Sequence, residues 1–297
     1  MNVPANTPLL PFKTIVYATD FSTCSENAGL YAPLLARKFD AELLVAHAFV
    51  LSYPAMEVEA EDGQIKKSEE RKRLEAALAE TTRRFRDGAS RAVPVLLDGD
   101  PREQVPRLAR EHAPSLIVLG TKGRGRMERG VIGSVAERIM RVTGGPALTV
   151  GPEVPACDSS RPLFQRMLYA TGLSPAAARG AAYAGAMAQA FGSSLEVLHV
   201  VHPEDVADKD RFDQLHRRFR AVLDEMAPQH AERFSQPEGL VEVGSAHERI
   251  LEYLQENHAD LLVLSIRQSS HLWLQSRLSG AFHIIANAPC PVLTITG

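Results

Sequence analysis

A glycine-rich, basic segment near the middle of the chain has the residue types of an anion-binding loop. It begins Gly120-Thr121-Lys122-Gly123-Arg124 and ends at Gly133-Ser134. Glycine lets backbone N–H groups approach an anion closely, and a helix beginning near Ser134 would add unpaired N–H groups and the positive end of its dipole. Lys122 and Arg124 can add charge-assisted hydrogen bonds, and Ser134 can cap the helix or donate its hydroxyl to a phosphate. On these residues alone, a flexible basic loop that ends in an ordinary helix cap is an equal alternative.

The elements around this segment predict an α/β fold. In the first half, strands are expected near 13–19, 42–48, 92–97, 116–119 and 147–150, and helices near 24–38, 65–86, 102–112 and 134–142. The apolar runs are nearly continuous, as in strands that are covered by helices on both faces. Alternating strands and helices indicate a doubly wound, mainly parallel, Rossmann-like sheet, whose ligands bind beyond the carboxyl ends of the strands. The glycine-rich segment follows the fourth strand at that edge.

The chain repeats itself once. Residues 12–22 resemble 164–174 at an offset of 152, and 116–119 resemble 261–264 at an offset of 145. A single period of this length indicates a duplicated domain, since solenoid repeats are shorter. We therefore predict two tandem five-stranded domains, at 1–154 and 155–297, joined through a proline-rich linker at 151–162. Their last strands, 147–150 and 292–295, are expected to pair across an internal pseudo-twofold axis.

The spacing of the loop resembles that of one family. Gly120, two residues, Gly123, nine residues and then Gly133-Ser134 resembles the nucleotide loop of ATP-binding universal stress proteins. Residues 14–22, 44–48 and 99–101 also resemble the family's first strand, second strand and turn after the third strand, and the resemblance extends over nearly the whole chain, twice. It implies an adenine nucleotide alpha hydrolase-like fold and an ATP-binding stress-response or signalling module, with or without Mg²⁺.

The resemblance also implies roles for single residues. Asp20 would contact the nucleoside, and the backbone of Ala48 would pair with the adenine edge. The predicted nucleotide-binding residues are Ala18, Thr19, Asp20, Ala48, Gly120, Thr121, Gly123, Arg124, Gly133, Ser134 and Val135. Ala18 stands where family members often carry proline, and we expect no loss of binding from it. No catalytic or metal-binding residue is predicted.

The second half carries different residues at these positions. Gly172 replaces Asp20, and Ser265, Gln268 and Leu278 replace Gly120, Gly123 and Gly133, while a serine is retained only at Ser279. Side chains at 268 and 278 would occupy space that phosphates need. We therefore predict one ATP per chain, bound in the first half. The second half is expected to complete a pseudo-dimer, with a remodelled pocket around Trp273 for another ligand or partner as the alternative.

Composition and charge exclude several functional classes. The net charge of −3 gives no basic field for nucleic acid. The three cysteines are scattered without a C-x-x-C pair, which argues against a disulfide framework or zinc site and fits the cytoplasm. No apolar run approaches the roughly 20 residues of a membrane span, and the first eleven residues lack the pattern of a secretion signal.

The acidic residues favour binding over turnover. No second acidic residue is clearly placed to hold a metal ion and a water molecule. Asp98 and Asp100, on the turn after the third strand, are the nearest candidates, and no Walker motif is present. Hydrolysis needs a positioned water and charge stabilisation beyond the binding loop. The expected partners are an adenine nucleotide and an unidentified protein, and homodimerisation is left open. A slow ATPase or nucleotide hydrolase, or a scaffold with two vestigial sites, are the alternative functions.

Overall fold

A computed structural model describes residues 10–50, 61–86, 91–123, 130–158, 160–173, 177–226, 237–266 and 280–296. The strands of the first half are β1 Thr14–Ala18, β2 Glu42–Phe49, β3 Ala92–Asp98, β4 Ser115–Gly120 and β5 Pro146–Val150. Its helices are α1 Thr23–Gly29, α2 Tyr31–Phe39, α3 Glu61–Phe85, α4 Pro101–Glu111 and α5 Ser134–Val142.

The second half repeats this order. Its strands are β6 Arg166–Ala170, β7 Ser194–Val201, β8 Glu238–Val243, β9 Leu261–Ile266 and β10 Val292–Thr296. Its helices are α6 Ala177–Phe191, α7 Pro203–Ala207, α8 Lys209–Met226, α9 Ala246–Glu256 and α10 Gly280–Asn287. None of these helices, nor any other in the described part, is long and apolar enough to cross a lipid bilayer.

All ten strands join one continuous sheet in the order β3-β2-β1-β4-β5-β10-β9-β6-β7-β8. Neighbouring strands within each half are parallel, whereas β5 and β10 pair antiparallel with Leu148 opposite Leu293. Hydroxyls reinforce this junction, because Thr149 Oγ1 donates to Val292 O and Thr294 Oγ1 donates to Ala147 O. The predicted mainly parallel α/β fold and the pairing of the two last strands are both confirmed.

Alternate residues of each strand enter two separate core layers. Ile15 and Tyr17 face the layer that also holds residues of α1, α2, α3, α6 and α8, whereas Val16 faces the layer of α4, α5, α9 and α10. All three side chains are at most 1% exposed. Because both faces are covered by helices, the strands carry the continuous apolar runs that the sequence shows.

Aromatic side chains bind the halves together on one face of the sheet. Three positions, 12, 31 and 39, recur as aromatic residues 152 residues later. Phe39 meets Phe191 edge-to-face at 5.8 Å, while Phe12 stacks on Tyr183 and Tyr31 stacks on Phe164. Each of these three contacts joins one half to the other. The two halves therefore share a core on this face.

The single helix predicted at 24–38 is wrong, because this segment forms α1 and α2 with a break at Leu30. Pro33 explains the break. It has no N–H to donate to the carbonyl of Gly29, and its ring crowds that carbonyl.

Candidate functional site

A cavity of about 230 Å³ lies at the carboxyl ends of β1, β2 and β4, against the beginnings of α4 and α5. Ten of the eleven predicted residues line it. From the strand ends come Ala18, Thr19, Asp20 and Ala48, and from the loop and α5 come Gly120, Thr121, Gly123, Gly133, Ser134 and Val135. Arg124, the eleventh, lies outside the described residues, as do the other arginines of the loop.

The apolar wall of the cavity was not predicted. It is formed by Ala46, Val105, Leu119 and Ile139, with Pro101 beside them. Pro101 and Val105 are four residues apart on α4 and so lie on the same face of that helix. That spacing, after the turn at Gly99-Asp100, places them on one face of the helix, and the packing of α4 across the strand ends brings that face to the cavity. A wall of this kind suits a flat, weakly polar ring.

The end of β1 is held by a local hydrogen-bond network. Thr19 N donates to Ala46 O at 2.9 Å, and His47 Nδ1 donates to Thr19 O at 2.7 Å. Phe21 has a left-handed φ of 60°, which Thr19 Oγ1 supports by accepting from Phe21 N. This turn fixes where Asp20 projects into the cavity. His47 is thus a buried residue whose ring helps to hold the end of β1.

Asp20 also organises the beginning of α1. Its Oδ1 accepts from Ser22 N at 3.0 Å and from Ser22 Oγ at 2.6 Å. Ser22 is the N-cap of α1, and its Oγ accepts from Ser25 N. The carboxylate therefore has a structural task in addition to lining the cavity.

The three glycines of the predicted motif are needed for close approach rather than for a left-handed backbone. None of Gly120, Gly123 and Gly133 has a positive φ. A Cβ on Gly120 would lie 2.9 Å from backbone atoms of Cys24 and Ser25, where α1 packs on β4. A Cβ on Gly123 would lie 2.8 Å from Asp20 Oδ2, and one on Gly133 would lie 3.2 Å from Thr121 O.

Helix α5 presents its amino-terminal end to the cavity. Gly133 is the N-cap, so Ser134 is the first helical residue and does not cap the helix as one prediction allowed. The first intrahelical donor is Glu137 N, which donates to Gly133 O at 2.9 Å. The N–H groups of the residues before Glu137 have no intrahelical acceptor. An anion at the cavity mouth would meet these donors and the positive end of the helix dipole.

Arginine side chains engage the two carboxylates nearest the site that were considered for metal binding. Arg71 donates to both oxygens of Asp98, at 3.2 and 3.0 Å. Asp100 caps α4 by accepting from Arg102 N, and the hydrogen bonds from the Arg102 side chain lower the pKa of this carboxyl. Across the described residues, no group of three or more histidine, cysteine, aspartate or glutamate side chains could hold a metal ion.

The second half keeps the scaffold of the site. His199 Nδ1 donates to Thr171 O at 2.9 Å, and Leu173 has a φ of 52° supported by Thr171 Oγ1. The carboxylate has no counterpart, because Gly172 stands at that place. A Cβ there would meet no atom of the described residues within 4 Å. Ser265 directs its Oγ at Gly180, which has no side chain. The replaced positions Gln268 and Leu278, the retained Ser279, and Trp273 lie outside the described residues.

A larger cavity, of about 520 Å³, lies between the linker and the second half. Its wall includes Tyr31, Phe164, Pro289 and Pro291, and none of the predicted site residues. It lies near the strand beginnings of the second half rather than at a carboxyl edge. The smaller cavity combines a helix amino terminus, a carboxylate and an apolar wall, and we take it as the functional site.

The chain is similar to known proteins over both halves. A model of the universal stress protein family matches residues 11–151 and 163–296. A universal stress protein of Methanocaldococcus jannaschii is 31% identical over 140 residues, which are 47% of this chain and 82% of that protein. Another, from Thermus aquaticus, is 31% identical over 144 residues, 47% of this chain and 98% of that protein. The crystal structure of a universal stress protein from Archaeoglobus fulgidus has a TM-score of 0.73 at 20% identity and covers 96% of this chain and 98% of its own.

Proposed function

The chain belongs to the universal stress protein family, and we propose that it binds one ATP, in its first half, as a regulatory ligand. The observation that carries this proposal is the convergence of Asp20, Gly123 and the amino terminus of α5 on a cavity with an apolar wall. These are the groups that a nucleoside with attached phosphates requires. The family's role in stress response or signalling is part of the same proposal.

The proposed pose places each part of the nucleotide against matching chemistry. Adenine lies on the apolar wall with its edge at the backbone of Ala48, and Asp20 accepts from a ribose hydroxyl. The phosphates lie at Gly123 and the amides that begin at Ser134. The cavity is smaller than the roughly 300 Å³ usual for small-molecule pockets, so part of the ligand extends past its mouth near Val135, which is 39% exposed. Arg124 stays a predicted phosphate contact.

Binding by the first half alone is supported by the residues that differ. The second half lacks the carboxylate at Gly172 and carries a side chain at Ser265 where the first half has Gly120. The same turn and histidine are present in both halves, so the carboxylate of Asp20 is missing from a turn that the halves otherwise share. We propose that the second half does not bind ATP in this manner.

The ion pairs that hold the carboxylates near the site favour a regulatory role over turnover. Asp98 and Asp100 are held by Arg71 and Arg102, which leaves them poorly placed to activate water. Any Mg²⁺ would come with the phosphates rather than from a protein cage. The alternative is a slow ATPase that uses the same loop. We expect the module to act on an unidentified protein partner in the cytoplasm.

Mass analysis of ligand released from the purified chain, with its stoichiometry, tests the proposal. We expect an adenine nucleotide at no more than one per chain. If the purified chain releases no nucleotide and calorimetry shows no heat of ATP binding, the proposal is wrong and the chain is a scaffold with two vestigial sites. Two equivalent sites would contradict binding by the first half alone.

A non-hydrolysable ATP analogue separates regulation from turnover. We expect ATP and the analogue to protect the amides of 130–136 from hydrogen exchange equally, since a ligand acts through its affinity for one state. ATP should not be consumed at a useful rate. If ATP alters partner binding while an equally bound analogue does not, turnover matters and the ATPase alternative replaces this proposal.

A further inference from the structure

The C-terminal end of α10, in the second half, lies directly behind the loop of the first-half site. Gly130 has a left-handed φ of 77°. A Cβ built on Gly130 would lie 3.2 Å from Oδ1 and 3.4 Å from Nδ2 of Asn287. The turn at Gly130 therefore passes the Asn287 amide so closely that only a hydrogen fits without displacement.

The amide of Asn287 is fixed by its own helix. Its Nδ2 donates to His283 O at 2.8 Å. This hydrogen bond leaves Oδ1 facing Gly130, as an oriented polar atom supplied by the other half of the chain. Asn287 is not among the residues that line the cavity of the first half.

The same end of α10 also lies near the beginning of the loop, with Gly151 between them. Thr121 N donates to Val150 O at 3.0 Å, which places Thr121 beside Gly151. A Cβ on Gly151 would lie 3.7 Å from Thr121 Oγ1 and 3.9 Å from the carbonyl oxygens of Ile285 and Ala288. Residues of the second half thus lie next to both described ends of the loop.

Within the first half, a hydrogen bond joins these ends. Gly133 N donates to Thr121 O at 2.8 Å. The segment from Gly130 to Gly133 is therefore held at Gly133 by its own half and contacted at Gly130 by Asn287. This segment leads straight into the amino terminus of α5, whose amides face the cavity.

We infer that Asn287 is a positioning residue for the phosphate end of the nucleotide site, an inference that rests on the proposed function. By holding the turn at Gly130, Asn287 keeps the α5 amides oriented before the ligand arrives, and such preorganisation raises affinity. The second half thereby contributes to binding in the first half, through a residue that touches no ligand.

Calorimetry of Asn287→Ala with ATP and with adenosine tests this inference. Adenosine lacks the phosphates and serves as the probe for the rest of the site. Asn257→Ala is the matched control, because Asn257 Nδ2 donates to Tyr253 O at the end of α9 in the same way. We expect Asn287→Ala to weaken ATP binding about three- to tenfold, because the turn at Gly130 loses the packed amide that limits its movement before the ligand binds. The affinity of Asn287→Ala for adenosine should be unchanged, and so should the affinity of the control variant for both ligands.

The ATP affinity of a charged variant and the amide exchange of 130–136 test the same inference. Asn287→Asp should lower the affinity for ATP more than Asn287→Ala does. Added salt should reduce the difference in affinity between the two variants, because it screens the new charge. Amide exchange at 130–136 should be faster in the unliganded Asn287→Ala chain than in wild type. Equal losses for ATP and adenosine, or an unchanged ATP affinity, would overturn the inference while leaving the proposed function standing. A wild-type chain that binds neither ligand would overturn both.

Discussion

The Oδ2 atom of Asp20 lies 2.8 Å from the point that a Cβ at position 123 would occupy. The glycine of the loop and the carboxylate at the end of β1 therefore share one space. A side chain at 123 has to displace the carboxylate, and the carboxylate in turn limits where the loop can run. The two residues form one unit of the site although they are about a hundred positions apart.

Gly123→Gln should therefore weaken ATP binding by about tenfold or more, since a cost near 1.4 kcal/mol is already tenfold. The substitution also imports the residue of the second half. Gly185→Ala in α6 is the control, because a Cβ there meets no atom within 4 Å. Calorimetry measures both, and wild-type affinity in the glutamine variant would remove Gly123 from the site.

Asp20→Gly should weaken ATP binding and also lower the free energy of unfolding by about 1 kcal/mol, through loss of the hydrogen bonds from Ser22. Asp20→Asn keeps an oxygen for Ser22 N and should retain most of the stability while losing affinity. Calorimetry and urea unfolding separate the two effects. Full ATP binding by Asp20→Gly would contradict the assignment.

The reciprocal change, Gly172→Asp, should be tolerated by the fold. In the described part of the chain, a Cβ at this position meets nothing within 4 Å, so we expect a change in unfolding free energy within about 0.5 kcal/mol. It should not create a second ATP site, since Ser265 and the other replaced positions remain. Calorimetry that gave two ATP per chain in this variant would show that one carboxylate is the whole difference between the halves.

Gly120→Ser should destabilise the chain by about 1–3 kcal/mol, the usual cost of overpacking. Its Cβ would lie 2.9 Å from the backbone of Cys24 and Ser25, which cannot turn aside as a side chain can. Urea unfolding without ligand measures the effect. A wild-type stability would mean that α1 shifts freely away from β4, and the glycine would then serve the ligand alone.

Phe164→Ala should lower the free energy of unfolding by about 3–5 kcal/mol and leave one cooperative transition. Phe164 is 2% exposed and contacts both Tyr31 and Phe191. Because the aromatic residues bind the halves together, the whole chain should melt at a lower temperature in calorimetry. Two separated transitions, with only one displaced, would show that the halves unfold independently.

Burial lowers the pKa of His199 below its ordinary value of 6.5. The unfolded chain then takes up this proton before the folded chain does, so stability should fall as the pH decreases through 6.5. His199 Nε2 also has no hydrogen-bond partner in the described part of the chain. His199→Gln should reduce the slope of stability against pH in urea unfolding. An unchanged slope would assign the dependence to other groups.

The strands and the positions of the loop were predictable because they follow from local pattern. Apolar runs covered on both faces identify β1 and β4 without knowledge of their neighbours, and the helix beginning at Ser134 was placed correctly. The break at Leu30 also has a local cause, because Pro33 interrupts the single helix that the apolar pattern of 24–38 predicted.

The structural reasons why glycine is required at particular positions were not predictable from the sequence. Gly120 is required by the packing of α1 on β4, and Gly130 passes the amide of Asn287. Both contacts depend on which elements become neighbours in the folded chain, and sequence spacing does not contain that information. The apolar wall at Val105 was missed for the same reason, because it belongs to the site only once α4 lies across the strand ends.

The antiparallel pairing of β5 with β10 joins two strands of different sequence within one chain. In an assembly of two identical subunits, any inherited change at such a site alters both copies together. A duplicated gene removes that restriction, because each copy then mutates separately. The first half can then keep the carboxylate of Asp20 while the second half carries Gly172 and has a supporting role. Two identical subunits could not differ in this way.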